Sequence, residues 1–349
     1  MKYSILNLVP IKKENGEKDA YLEMVDLAQA AEKWGYVRYW IAEHHNTKLF
    51  ASSATQLLIE KTLANTKTIQ VGSGGVMLPN HTPYIVAEQY GMLEKMYPGR
   101  VNLGLGRAPG TDAKTAMAIR KENFSHQEDF EADIEELISY FEDTNEVHAY
   151  PAAGVNVPIY ILGSSTFSAH LAARLGLPYA FASHFAPAQL VDADQIYYRE
   201  FKPSRFLDKP YMIVGINAYV ADTDKEAKYL ATTFKQTALN IITGQDMPTL
   251  PKPVKSEDEI WNNYLKAKYV PHFGPVALKN ENIIGNEKDA VQRMTDLTVI
   301  GNKKEAKEQI EYLRSKIKFD ELMVNSYIYD EVAWLNSYRL FSEVVKEIN

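Results

Sequence analysis

Short apolar runs that end abruptly in small or polar residues recur along this chain, each followed by a helix-length segment. Val37–Ala42 runs into Glu43-His44-His45-Asn46, and Thr68–Val71 into Gly72-Ser73-Gly74-Gly75. Val101–Leu103 runs into Gly104-Leu105-Gly106-Arg107, and Pro158–Leu162 into Gly163-Ser164-Ser165. A strand that must be followed by a helix before the next strand can pair in parallel is a βα unit. Enough such units close into a barrel with its working residues at the strand C-termini. These four strand ends are therefore expected to meet in one site.

The remaining elements follow the same rhythm. Tyr3–Val9 reads as the first strand, and Tyr179–Ala182, Tyr211–Val220 and Glu321–Ser326 as the sixth, seventh and eighth. Val101–Leu105 is the fourth. Tyr211–Val220 shows little alternation, as expected of a strand buried on both faces. Helical spacing and punctuation mark Asp19–Trp34 (ended by Gly35), Ser52–Ala64 (capped by Ser52 or Ser53) and a helix from Pro83 to about Met96. A longer excursion, Ala108–Gln127, precedes an amphipathic helix carrying Phe130, Ile134, Leu137, Ile138 and Phe141 on one face. Helices over Phe167–Leu175 and Ala188–Phe201 follow. Capping patterns at Thr223–Glu226 and Asn302–Glu305 open two more, and Val332–Ile348 is the last. Between about 244 and 296 the prolines 248, 251, 253, 271 and 275 break the pattern. The expected fold is α/β: a single (β/α)8 TIM barrel over residues 1–349, with 244–296 as a late insertion and a candidate lid.

Composition narrows the function. With 349 residues, a net charge of −7 and no basic block, the sequence argues against a nucleic-acid or acidic-membrane partner, while leaving room for a local basic patch that holds a phosphate. The absence of cysteine excludes disulfides, thiolate metal sites and a cysteine nucleophile. The N-terminal MKYSILNLVP reads as a strand rather than a signal peptide, and no apolar segment is long enough to span a bilayer. The expected location is the cytoplasm.

Three strand ends carry groups with chemistry. In Glu43-His44-His45, alternation sends Glu43 and His45 one way and His44 the other. No His-x-His, HExxH or second ligand cluster accompanies them, so no metal is expected, and the choice lies between a functional polar pair and histidines satisfied structurally. Gly104-Leu105-Gly106-Arg107-Ala108-Pro109-Gly110 has the spacing GxGxxxG, with Pro109 where a following helix should begin; it is a poor dinucleotide fingerprint. Read as a strand end, it offers the Arg107 guanidinium to a phosphate, or to a surface ion pair. Gly163-Ser164-Ser165-Thr166-Phe167-Ser168 leads straight into a helix with four hydroxyls in five residues, which favours an anion site over a single N-cap. Gly72-Ser73-Gly74-Gly75 permits either a tight turn or close backbone approach to a flat ligand.

Taken together, IAEHHN (41–46), VGSGGVMLPNHTPYIVAEQ (71–89), PGRVNLGLGRAPGTD (98–112) and ILGSSTFSAHLAARLGLP (161–178) resemble the bacterial-luciferase-like flavin-dependent monooxygenase family. Within it, the likeness is to the luciferase-like oxidoreductase branch with GSGGVMLPNH and LGLGRAPGTD. The resemblance implies a barrel binding FMN at its C-terminal face, with His44 beside the flavin as the catalytic candidate and His45 less well placed. It puts Gly74-Gly75, joined in relatives by a non-prolyl cis peptide, under the isoalloxazine. It assigns the phosphate to Arg107, Ser164, Ser165 and Ser168. It implies a monooxygenase that uses reduced flavin and O2 on a small organic substrate, with FMN reduced by a separate reductase and the chain paired as a homodimer. Gly106 stands where luciferase has a reactive cysteine, so light emission is not expected. Two alternatives keep the fold: F420-dependent hydride transfer, and a non-catalytic flavin-binding barrel.

Overall fold

The computed structural model describes residues 1–120, 130–267 and 280–348. Part of the excursion expected over Ala108–Gln127, together with Pro271 and Pro275, lies outside the described residues. The strands are β1 (Lys2–Asn7), β2 (Arg38–Ile41), β3 (Gln70–Met77), β4 (Val101–Gly106) and β5 (Ile159–Gly163). They continue with β6 (Tyr179–Phe181), β7 (Met212–Val220), β8 (Thr298–Gly301) and β9 (Glu321–Asn325). All pair in parallel, in the order β6-β5-β4-β3-β2-β1-β9-β7, and β6 pairs back onto β7. Eight strands thus close a (β/α)8 barrel, as the alternating pattern predicts.

Two strands depart from the sequence reading. β8 was not foreseen: it pairs with the far end of β7, Asn217–Val220, beyond the stretch Ile213–Asn217 that pairs with β9. Its four residues, TVIG, lie just before the Asn302 cap and are too few to declare a period. β3 is longer than Thr68–Val71, because Gly72-Ser73-Gly74-Gly75 continues the strand instead of leaving it. β2 and β4 flank that stretch and supply its backbone partners, with a register shift between Ser73 and Val76. A local reading of four small residues cannot see those neighbours.

The outer helices are α1 (Glu17–Trp34), α2 (Thr55–Asn65), α3 (Pro83–Met96), α4 (Ala113–Ile119), α5 (Phe130–Phe141) and α6 (Thr166–Leu175). They continue with α7 (Leu190–Glu200), α8 (Asp224–Thr243), α9 (Glu257–Ala267), α10 (Asn280–Thr295), α11 (Lys303–Lys316) and α12 (Glu331–Ile348). Gly35 and Gly176 close α1 and α6 in the left-handed conformation, at φ 84° and 63°. Asn302 and Glu305 form the expected capping box of α11. The expected serine cap of α2 is absent: the helix starts later, after Ala54, without a side-chain cap. Phe130, Ile134, Leu137 and Phe141 are buried along one face of α5, each worth about 1.5–3 kcal/mol against exposure.

The N-terminal end of the barrel is plugged by charge. Arg38 and Glu321 are both buried and bond at 2.6 Å, while Arg38 also donates to Asn102 and Tyr160 at 2.8 Å. The Tyr211 hydroxyl donates to the second oxygen of Glu321 at 2.5 Å. Burial acts to lower the Arg38 pKa, but Glu321 and its neighbours raise it further, so the guanidinium stays charged. With this end sealed, the open end is the one where the strands terminate. Among the described residues no helix is long and apolar enough to cross a membrane.

Candidate active site

A cavity of about 400 Å3 opens at the C-terminal face. Its wall includes His44, Gly74, Arg107, Ser164, Ser165 and Ser168, so six of the seven sequence-predicted residues converge there. Gly75 lies behind the wall: a Cβ on it would come within 2.7 Å of Gly104 O and 3.0 Å of Leu162 Cδ2. The Gly74-Gly75 peptide is cis, as the resemblance implied. A second cavity, about 580 Å3 and more polar, shares His44, Phe50 and Ile241 with the first and reaches Gln245 and Asp246.

At one end of the main cavity stands the start of α6. Ser165 is its N-cap residue, in extended conformation and making no side-chain cap bond. The backbone N–H of Thr166 donates to Gln189 Oε1 at 3.1 Å. Ser168 lines the wall, but its hydroxyl donates to Ser165 O at 2.8 Å and also meets the Tyr179 hydroxyl at 3.1 Å. Ser168 thus braces the helix start, while among the described residues the Ser164 and Ser165 hydroxyls carry no such bond. Arg107 is exposed beyond β4, with its guanidinium 4.1 Å from the Phe167 ring centre and no ion pair among the described residues.

Across the cavity lies His44. Its ring tilts against Phe50, with centres 5.1 Å apart, and its Nδ1 is buried without a hydrogen-bond partner among the described residues. Burial holds its pKa down to about 4, overriding the opposite pull of Glu43. The imidazole is therefore neutral at ordinary pH. Glu43 and His45 turn the other way, as the sequence pattern predicts although β2 itself ends at Ile41, and there they meet His81. Glu43 Oε1 accepts from both rings at 2.8 Å, and Met77 N–H donates to Oε2 at 3.2 Å. Burial acts to raise the Glu43 pKa, but these two histidines outweigh it and keep the carboxylate ionised. The three ligand atoms lie within 4.8 Å of one another, a spacing open to a divalent cation. Their mutual hydrogen bonds account for the grouping without one.

The cluster also ties strand ends together. His45 N–H donates to Gly110 O at 3.4 Å, Thr111 Oγ1 to His45 O at 3.2 Å, and Asn46 to Asp112 at 2.8 Å. Through these bonds the segment after β4 is held against the segment after β2. Sequence reasoning missed His81, which lies far along the chain from Glu43. It also missed His184, which lines the cavity three residues after β6. The strand-end rule that singled out His44 would have found His184 had it been applied to Tyr179–Ala182.

The sequence profile described as luciferase-like monooxygenase matches residues 1–316. The chain belongs to the luciferase-like monooxygenase family. Membership makes it an oxidoreductase. It is 43% identical to the uncharacterized protein YvbT of Bacillus subtilis (strain 168), covering 98% of this chain and 96% of that protein. It is 40% identical to a luciferase-like monooxygenase of Escherichia coli (strain K12), over 99% and 97% of the two chains. Among solved structures, apo-MsnO8 superposes with a TM-score of 0.83 at 28% identity, covering 99% of this chain and 98% of the other. More distant structures of the same fold are described with different cofactors. The oxygenating constituent of 3,6-diketocamphane monooxygenase of Pseudomonas putida, in complex with FMN, matches with a TM-score of 0.70 at 18% identity over 99% and 97%. An F420-dependent secondary alcohol dehydrogenase matches with a TM-score of 0.66 at 17% identity over the full length of both chains. At that identity they share the fold alone.

Proposed function

We propose that this chain binds FMN across the C-terminal face and, with reduced FMN and O2, oxygenates a small organic substrate. The observation that carries this reading is the convergence, in one largely apolar cavity, of an anion-suited helix start, an unpaired arginine and a neutral buried imidazole. The residues fit the cofactor. Gly74 presents no side chain to the cavity, so a flat ring can approach the backbone there. His44 Nδ1, unpartnered among the described residues, marks a ring with hydrogen-bonding capacity to spare. Arg107, with the Ser164 and Ser165 hydroxyls and the α6 N–H groups, would hold the phosphate. Ser168 supports that grip through Ser165.

Bound FMN would supply the reaction with O2. The protein's share is to orient and to exclude water. His44, uncharged, would serve as hydrogen-bond partner and proton-transfer group at the flavin edge. Met294 of α10 reaches the cavity from the 244–296 segment, so the described part of that segment is assigned the part of a cover within the single barrel domain; its residues 268–279 lie outside the described residues. Reduced FMN would come from a separate reductase in the cytoplasm. Ile85, Met92 and Met96 lie on one exposed face of α3, and Leu57 is exposed on α2; these apolar side chains are assigned to a homodimer contact.

A titration of the full chain with FMN, riboflavin and F420 tests the reading. FMN is expected to bind stoichiometrically. Arg107→Ala should weaken FMN by roughly 10- to 100-fold, the range for a charged hydrogen-bonding group, and leave riboflavin unchanged. Equal losses for both would move Arg107 from the phosphate to the fold. Binding of F420 alone would replace oxygenation by hydride transfer, and binding without O2 consumption in the presence of a reductase would leave a carrier.

A further inference from the structure

His184 is held where it is by a buried polar relay. Asn325 Nδ2 donates to Asn217 Oδ1 at 3.0 Å, and Asn217 Nδ2 donates to the His184 carbonyl at 2.5 Å. Asn217 is 0% and Asn325 4% exposed. Next to it, the buried Ser183 donates to Gly215 O at 2.6 Å. Buried amides are costly unless bonded, and when bonded they rigidify what they touch. Here two strands, β7 and β9, direct their buried polar groups to the backbone that presents one imidazole.

The ring itself packs over β7. A Cβ added at Gly215 would come within 2.7 Å of His184 Nδ1, so only glycine leaves space for the ring there. That Nδ1 is buried with no partner among the described residues, like that of His44. An orphaned N–H is rarer in buried protein than an orphaned acceptor, so each Nδ1 carries the lone pair and each Nε2 the proton. Both rings line the same cavity, so the N–H that each can offer is the one available to a ligand there. The surrounding wall, with Leu8, Phe50, Ile241, Met294, Met323 and Tyr327, is apolar or aromatic.

We propose that His44 and His184 form a paired, uncharged hydrogen-bond-donor site for the single carbonyl-type oxygen of an otherwise apolar substrate. This deepens the oxygenase reading and rests on it for the word substrate. Burial, together with the neighbouring His44, also holds the His184 pKa down to about 4, which agrees with a neutral donor. Two donors buried in an apolar wall discriminate strongly, because a ligand without an acceptor leaves them unsatisfied. A carboxylate is disfavoured too, since neutral donors do not repay the desolvation of its charge.

The experiment compares acetophenone, ethylbenzene and benzoate, three probes of similar size, by ligand-observed NMR on the full chain with and without saturating oxidised FMN. With FMN bound, acetophenone is expected to bind roughly fivefold to thirtyfold tighter than either of the others, the range for one or two net hydrogen bonds. His184→Phe should bring acetophenone to the ethylbenzene level, and His184→Gln, which keeps a donor, should restore part of the difference. Heteronuclear NMR of histidine-labelled protein at about pH 7 should show both rings as neutral Nε2–H tautomers. Wild-type protein that does not distinguish the probes, a His184→Phe variant that still does, or an Nδ1–H tautomer in either ring overturns the proposal. Should His184→Phe not fold, the wild-type comparison, His184→Gln and the tautomers decide. Failure of FMN to bind would sink the oxygenase reading, while acetophenone against ethylbenzene, measured without FMN, would still read the donor pair.

Discussion

Gly163 shows how narrowly the anion end of the cavity is built. A Cβ there would lie 1.9 Å from Ser168 Oγ and 2.3 Å from its Cβ, closer than any side chain tolerates. Gly163→Ala must therefore displace Ser168 and with it the Ser165 carbonyl that Ser168 holds. FMN affinity is expected to fall by roughly tenfold or more, with riboflavin affected less, as measured by fluorescence titration. A change of that size in both would show that the whole cavity had moved. The two cavity histidines also predict a pH dependence. In the folded chain both pKa values are held at about 4, against about 6.5 when unfolded. The unfolded chain thus takes up protons first, so their stability contribution is complete above about pH 6.5 and is lost as pH falls toward 4. Urea midpoints should drop between pH 7 and 5, and His184→Phe should make that drop shallower. A slope unchanged by His184→Phe would mean that His184 titrates alike in the folded and unfolded chain.

At the scale of elements, the connection from α2 to β3 is pinned from two sides. Glu32 of α1 accepts on one oxygen from the N–H groups of Lys67 and Ile69, at 2.8 and 2.9 Å, and from both the N–H and the hydroxyl of Thr68. Arg100 donates to the carbonyls of Leu63, Thr66 and Ile69, capping the end of α2. Burial acts to raise the Glu32 pKa, but the four donors outweigh it and draw it down to about 2. A depressed carboxyl stabilises above its unfolded pKa and loses that contribution as pH falls through about 2. After discounting for solvent, Glu32→Gln should cost about 1 kcal/mol at neutral pH, seen as a shift in the urea midpoint, and the gap to wild type should close toward pH 2. A gap that persists at low pH would assign the effect to packing instead of charge. This brace positions β3, and so Gly74, from outside the barrel. Its two halves are far apart in sequence, and Glu32 reads there only as one polar position on an amphipathic helix.

For the whole molecule, the proposed pairing through α2 and α3 gives a direct outcome. Leu57 is 71% exposed, and Met92 and Met96 about half exposed, on helices that stand outside the strands feeding the cavity. Sedimentation is expected to give twice the chain mass for the wild type. Leu57→Glu combined with Met92→Glu should give the monomer with an unchanged circular dichroism spectrum. A wild-type monomer would remove the dimer and leave the cavity untouched, since all its walls described above come from one chain.

How much of this was legible follows from the range of each interaction. The βα rhythm, the caps at Gly35, Gly176 and Asn302, and the strand ends bearing His44, Arg107 and Ser164 depend on a few neighbouring residues, and sequence alone determined them. Alternation even predicted that His44 would part from Glu43 and His45. The path of β3 through its glycines, the short β8 and the contact of the Ser168 hydroxyl with Tyr179 of β6 depend on partners supplied by other strands. So do the meeting of Glu43 with His81 and the relay from Asn325 through Asn217 to His184. Closing the barrel is what brings those partners within hydrogen-bonding reach, and no periodicity within one segment records it.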